Sequence, residues 1–452
     1  MKAFCLLSAA GMLVLSAVSL AQSPLAKRAD DAGNVLHAYG MDDAFFGSFV
    51  EDEPLDAVET AKLWKIVMRV HGLSLSELER WARGDGDWQI LRKAPIGCRG
   101  EVFDIRGQAT RVLNVPLDGD TKDRFGLSQL FEVEIRAPDG TNLVVYTTVV
   151  PSAWRLDGAI KESVSATSVF VKRARGENGD ARLIFVAQRV AWHPNTLLGR
   201  LGMDEGLFDT VQNRKPLLAS EHECFYQLLA AAACTKPHEL EADAFAQLKR
   251  FAENSPAGEK RSIARARERR YDVVPLFNSP ESQTGQLVMF EGDARRAVEI
   301  RLDDDDAKRF GISHYYEVAL FTDDSQGNPI IFCVLELPKG MPLGEDILAR
   351  VRIAGFFMKS WAYPQGSGGS KAGGKASEVK QQLAPLIIGR DTRLFVPTAS
   401  AGELIIGTIV VGAIAVAMAA ILLAAWRTGR PSRISHSAIP DAAAPDFSSL
   451  DR

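Results

Sequence analysis

The sequence predicts an α+β fold: two copies of a helical segment followed by a small antiparallel β-barrel, closed by a C-terminal transmembrane helix. Three observations predict it. The chain aligns with itself at a fixed offset. Within each aligned unit the apolar period switches from helical to alternating. Near the C-terminus, 22 consecutive residues carry no charge.

The repeat is explicit. At an offset of 185, residues 100–137 align without gaps to 285–322, and 13 of 38 positions are identical. The identities run from Gly100 and Gly107 through Asp118, Arg124, Phe125, Gly126 and Glu132 to Val133. Their partners are Gly285, Gly292, Asp303, Arg309, Phe310, Gly311, Glu317 and Val318. At an offset of 162, Gly40-Met41-Asp42 falls on Gly202-Met203-Asp204, Pro54-Leu55 on Pro216-Leu217, and Glu59 on Glu221. The offset grows by 23, so the second copy carries an insertion between about 227 and 284. Two long copies make a domain duplication rather than a solenoid.

Each copy leads with helix. Leu55, Val58, Ala61, Leu63, Trp64, Ile66, Val67 and Val70 recur at helical spacing. Ser74 to Glu77 has the pattern of a capping box opening a second helix through Trp81. Copy two repeats this with helices over 223–233 and 239–251. Strands follow: short apolar or alternating runs at 102–105, 111–115, 130–135, 143–150, 168–172 and 183–192 in copy one. The equivalents in copy two are 287–290, 297–300, 315–321, 329–337, 351–359 and 386–395. The Gly/Ser run at 365–377 is read as a loop between two strands.

The order of these elements resembles an OB-fold. The features are a long first strand with a central glycine (Gly107, Gly292), two strands joined by a tight turn, a longer connector (151–165; 338–348) and two final strands. Another small barrel or sandwich stays open as an alternative. The whole chain is also similar to uncharacterised bacterial envelope proteins with a signal peptide, tandem OB-like barrels and a C-terminal membrane anchor. That resemblance implies no activity.

The ends predict the compartment. Lys2, the apolar run 3–20 and Ser19-Leu20-Ala21 read as a signal peptide over 1–21. The run Leu404–Ala425 is long enough as helix for a hydrocarbon core about 30 Å thick. Arg427, Arg430 and Arg433 follow it, so they mark the cytoplasmic end. The resulting plan is a helical segment at 39–96, a barrel at 97–195, a helical segment with a basic insertion at 201–283, a barrel at 284–398, the span at 404–425, and a cytoplasmic tail at 427–452 without an apolar period. Four cysteines remain after cleavage, Cys98, Cys224, Cys234 and Cys333, in no metal-binding spacing. They are read as buried thiols, with disulfides left open.

Composition excludes a broadly basic nucleic-acid binder, because 53 basic and 57 acidic residues leave a net charge of −4. No catalytic motif is found, and neither cofactor nor metal is expected; the chain is read as a non-enzyme. Glu221-His222-Glu223-Cys224 lacks the second histidine of HExxH. The acidic loops at Asp118–Asp123 and Asp303–Asp306 are read as helix caps, with calcium as the sharper alternative. The shared set Arg124, Phe125, Gly126, Glu132 and Arg309, Phe310, Gly311, Glu317 is read as structural, with Arg124–Glu132 and Arg309–Glu317 as ion pairs; a shared ligand-binding pair is the alternative. The basic run Lys260, Arg261, Arg265, Arg267, Arg269 and Arg270 is either a solvated linker or a patch for an anionic partner.

These readings converge on a single-pass cell-membrane protein whose duplicated extracytoplasmic domains bind or scaffold an envelope protein or polysaccharide. A cell-wall hydrolase and extracellular nucleic-acid binding are the alternatives.

Overall fold

The computed structural model describes residues 32–83, 88–176, 179–254, 260–364, 381–395 and 418–420. The signal peptide and the loop at 365–377 lie outside these residues, as does the apolar span except Met418–Ala420. Among the described residues, no helix is long and apolar enough to cross a membrane. The chain divides into two units, 1–395 and 396–452. The first unit holds both copies of the repeat.

The fold is mixed α/β. In copy one the strands are β1 (Val102–Asn114), β2 (Phe131–Arg136), β3 (Asn142–Thr147), β4 (Gly158–Arg175), β5 (Ala181–Ala187) and the short β6 (Ala191–Trp192). In copy two they are β7 (Leu287–Arg301), β8 (His314–Phe321), β9 (Ile330–Glu336), β10 (Ala349–Pro364) and β11 (Gln381–Leu394). Copy two closes as a five-stranded barrel in the order β10-β11-β9-β8-β7. Copy one has the order β1-β2-β3-β5-β4, with β1 pairing back onto β4 and β6 appended to β4.

The registers also agree. Val133 faces Val145, which faces Phe185, which faces Phe170. The equivalent chain in copy two is Val318, Phe332, Ile387 and Phe357. All eight side chains are buried in the barrel interiors.

The expectation of wholly antiparallel barrels is corrected. β3 pairs with β5, and β9 with β11, in parallel. Five strands cannot alternate direction all the way round a closed ring, so one ladder must be parallel. The expected first two strand segments also fuse into one long strand in each copy. The connector before β4 holds no helix, and β4 begins at Gly158, earlier than the expected 168. The final strand of copy one divides into β5 and β6 around Gln188, whose amide bonds to the Leu73 carbonyl at 2.9 Å.

Gly107 and Gly292 lie where the first strand of each barrel begins to pair with its second neighbour. A Cβ at Gly107 would overlap the Arg136 carbonyl, and one at Gly292 the Phe321 carbonyl. A bulge follows in each copy, between Ala109 and Arg111 and between Ala294 and Arg296, letting the strand bend into both ladders.

Helix Ala57–His71 is N-capped by Asp56 and buries Leu63, Trp64, Ile66, Val67 and Val70 against the outer face of its barrel. Each such fully buried side chain contributes about 1.5–3 kcal/mol. Val58, expected on that face, is exposed. Ser74 and Glu77 form the capping box of helix Leu75–Trp81. In copy two, helix His222–Ala233 packs Phe225, Leu228 and Leu229 on the second barrel. Because helices cover one face of the strands and the barrel core the other, runs such as Ile330–Val334 are buried without alternation.

Candidate functional site

The most specific chemistry common to the copies is a buried ion pair. Lys172 Nζ donates to Glu59 Oε2 at 2.8 Å, and Lys359 Nζ to both Glu221 oxygens at 2.7 and 2.8 Å. Both lysines are fully buried. Each glutamate also accepts from backbone: Val50 N–H to Glu59 at 2.6 Å, and Gln212 and Leu218 N–H to Glu221 at 2.7 and 2.9 Å. A bulge between Phe170 and Lys172, repeated between Phe357 and Lys359, makes this possible. It turns two successive side chains, Val171 with Lys172 and Met358 with Lys359, toward the helical layer while Phe170 and Phe357 stay inside the barrels. This pair stitches helix to barrel. The signal was present in the sequence: Glu59 falls on Glu221, and each lysine ends an apolar strand run.

The shared loop is a capped helix. Asp118 accepts from Thr121 N–H at 2.7 Å, and Asp303 from Asp306 N–H at 2.9 Å. The Thr121 N–H holds the Asp118 carboxyl below its usual range. Gly126 and Gly311 end the two helices at φ of 63° and 69°, a left-handed C-cap.

The expected ion pairs are corrected. Arg309 pairs with Glu79 of copy one at 2.6 Å and with Glu223 at 2.7 Å. Burial opposes its charge, and the hydrogen bonds to those two carboxylates more than offset that, so its pKa is raised. Glu317 pairs with Arg296 instead. Arg124 lies over the Phe125 ring at 5.4 Å, and Glu132 accepts from the Tyr146 hydroxyl at 2.7 Å. Arg and Glu are shared for different reasons: Arg packs on its neighbouring Phe, while Glu sits on a strand facing other partners. Among the described residues, only copy two turns its arginine into a bridge between copies.

Three residues of Glu221-His222-Glu223-Cys224 have separate partners, Glu221 pairing with Lys359. His222 bonds to Asp306 at 2.7 Å, Glu223 pairs with Arg309, and Cys224 is buried. Among the described residues no three potential ligands gather as a metal site. Cys98, Cys224 and Cys333 are buried free thiols, and Cys234 is an exposed one, against the expectation that all four are buried.

The basic run is divided. Arg261 pairs with Asp272 at 3.3 Å, Arg265 with Asp324 at 2.8 Å and Arg270 with Asp323 at 3.4 Å. Arg267 and Arg269 are exposed, and the Lys260 side chain lies outside the described residues. Three arginines of the run therefore face acids, two of them on helix Lys260–Arg267.

Concavities border the joint between copies. A cleft of about 230 Å³ is lined by Glu79, Thr167, Arg189, His193, Asp204 and Cys234, among others. Asp204 organises it: it pairs with Arg189 at 2.7 Å and accepts from Trp192 N–H at 2.8 Å and Gly206 N–H at 2.9 Å. Burial pushes the Asp204 carboxyl up, against the pull of Arg189 and those N–H groups. Beside it, a groove of about 720 Å³ runs over β1 and β4 of the first barrel. The equivalent face of the second barrel holds a space of about 490 Å³, walled by Phe245 and by 268–271 of the insertion. None of these concavities was legible in the sequence, because their walls come from segments far apart in the chain.

Compared with known protein families and with curated proteins, the chain matches none.

Proposed function

We propose that this chain is a single-pass envelope protein whose duplicated extracytoplasmic domains bind or scaffold a partner. In this reading residues 1–21 direct export, 404–425 anchor the chain, and 427–452 stay in the cytoplasm. Each barrel is read as OB-like, which the ring order and the parallel closure through the third and fifth strands support. The observation that carries the binding reading is the open groove on the first barrel, beside a joint held by fixed ion pairs. The acids of the neighbouring cleft, Glu79 and Asp204, are each engaged by an arginine, which favours binding over hydrolysis.

Topology is tested with reporters. A fusion after Arg452 should report cytoplasm and one at Thr398 the outside; the reverse result overturns the anchor's orientation. Binding is tested by photocrosslinking the full chain in its membranes from several surface positions. A specific crosslinked species is expected, and its absence at every position overturns the binding reading.

A further inference from the structure

The second copy shows what its barrel face receives. Helix Glu239–Asn254 lies over that barrel, burying Leu240, Ala244 and Leu248 in a cluster with Met289 and Ala354. Its Glu241 carboxylate pairs with Arg352 at 2.9 Å and Arg393 at 2.7 Å. A polypeptide thus presents a carboxylate to arginines of the barrel.

The first copy has the same face, and among the described residues it lacks that cover. Its second helix, Leu75–Trp81, has 7 residues where helix Glu239–Asn254 has 16. The groove left there is lined by Arg106, Gln108, Arg136, Ser163, Ser165 and His193, and none of its lining residues carries a carboxylate. Arg136 is exposed. Flanking acids are engaged elsewhere: Glu162 accepts from the Trp192 indole at 2.7 Å, and Asp139 pairs with Arg92 at 3.1 Å. Where the second copy buries Met289 and Ala354, the first has Asp104 and Thr167, joined by a hydrogen bond of 2.7 Å. That face is built to stay polar.

We propose that this groove docks an acidic polypeptide segment of a partner protein. The inference rests on the binding reading above. Guanidinium, amide and hydroxyl donors suit carboxylates. Among the described residues no Phe, Tyr or Trp lines the groove, and the His193 ring is held by Ser165 at 2.8 Å and the Met203 carbonyl at 2.9 Å, so a stacking platform for bases or sugars is lacking. Next to it β4 pairs with β1 on one side, while β6 takes only Val164 and Ser165 on the other. Among the described residues, the edge at 158–162 is thus left for a peptide backbone.

The test uses the full chain in detergent and a fluorescein-labelled peptide of alternating Glu and Ser, read by anisotropy. Saturable binding is expected, weakened about tenfold or more by Arg136→Glu and by Ser163→Glu, both at exposed positions, through like-charge repulsion. Arg267→Glu, on the insertion, should leave it within about twofold. Polygalacturonate, which carries carboxylates without a peptide backbone, should compete poorly. No peptide binding, indifference to both groove variants, or equal competition by polygalacturonate each overturns the proposal. Photocrosslinking from Gln108 separates this from the broader reading: capture only at positions away from the groove overturns the groove while a binding function stands.

Discussion

The two barrels share an interior and differ at their surfaces. Strand order, register, the glycine in the first strand and the buried Lys–Glu stitch are common to both. The face over β1 and β4 is open and basic, whereas the face over β7 and β10 is walled by the insertion and neutralised by Glu291, Asp323 and Asp324. The difference teaches which features the fold itself requires. Inside the ring apolar residues exchange without loss of register, as Val145 for Phe332 and Phe185 for Ile387, while a face changes polarity where something covers it. Met289 and Ala354 replace Asp104 and Thr167 where a helix has arrived.

The sharpest way to break the comparison is at the stitch. Lys359→Ala leaves Glu221 buried without its cation and should cost about 3–5 kcal/mol. Lys172→Ala should cost the same order, since Glu59 is nearly as buried. Urea unfolding measures both. If either variant unfolds at the parent midpoint, the pair is not a shared requirement. The double change Lys359→Met with Glu221→Leu should recover much of the loss, because it leaves no unpaired buried charge.

A smaller effect is expected at the crowded glycines. Gly107→Ala and Gly292→Ala each force a Cβ onto a neighbouring strand's carbonyl, costing about 1–3 kcal/mol. Thermal melts should show similar losses in both. A loss in one alone would mean that the two barrels are not strained alike.

The smallest effect sharpens the asymmetry. Arg309 bridges to Glu79 of the first copy, and no equivalent bridge is seen from Arg124 among the described residues. A double-mutant cycle on Arg309→Ala and Glu79→Ala should give a coupling of about 0.2–1 kcal/mol, since Glu79 is partly exposed. Zero coupling would mean that the joint rests on Asp204 and apolar contact alone.

Much of the fold was legible because it is written in local patterns. The helical stripe over Leu63–Val70, the capping box at Ser74 and Glu77, the caps at Asp118 and Asp303, and the repeat offsets all act over short sequence distances. Three things misled. Val58 fits the helical period yet sits outside the buried stripe, because period alone does not fix the stripe's width. The repetition of Arg124 with Glu132 suggested a pair, but repetition marks a shared position and says nothing of which partner is in reach. The charge run at 260–270 does not reveal the acids that meet it, two of which, Asp323 and Asp324, lie on the turn after β8, some fifty residues on.

By itself, then, the sequence determined the duplication, the helix-then-strand order and the caps, because each depends on neighbours along the chain. The tertiary structure alone decided the parallel closure, the partners of Arg309 and Glu317, and the open groove. A ring of five strands, an ion pair across 230 residues and a concavity between copies all depend on what the folded chain brings together.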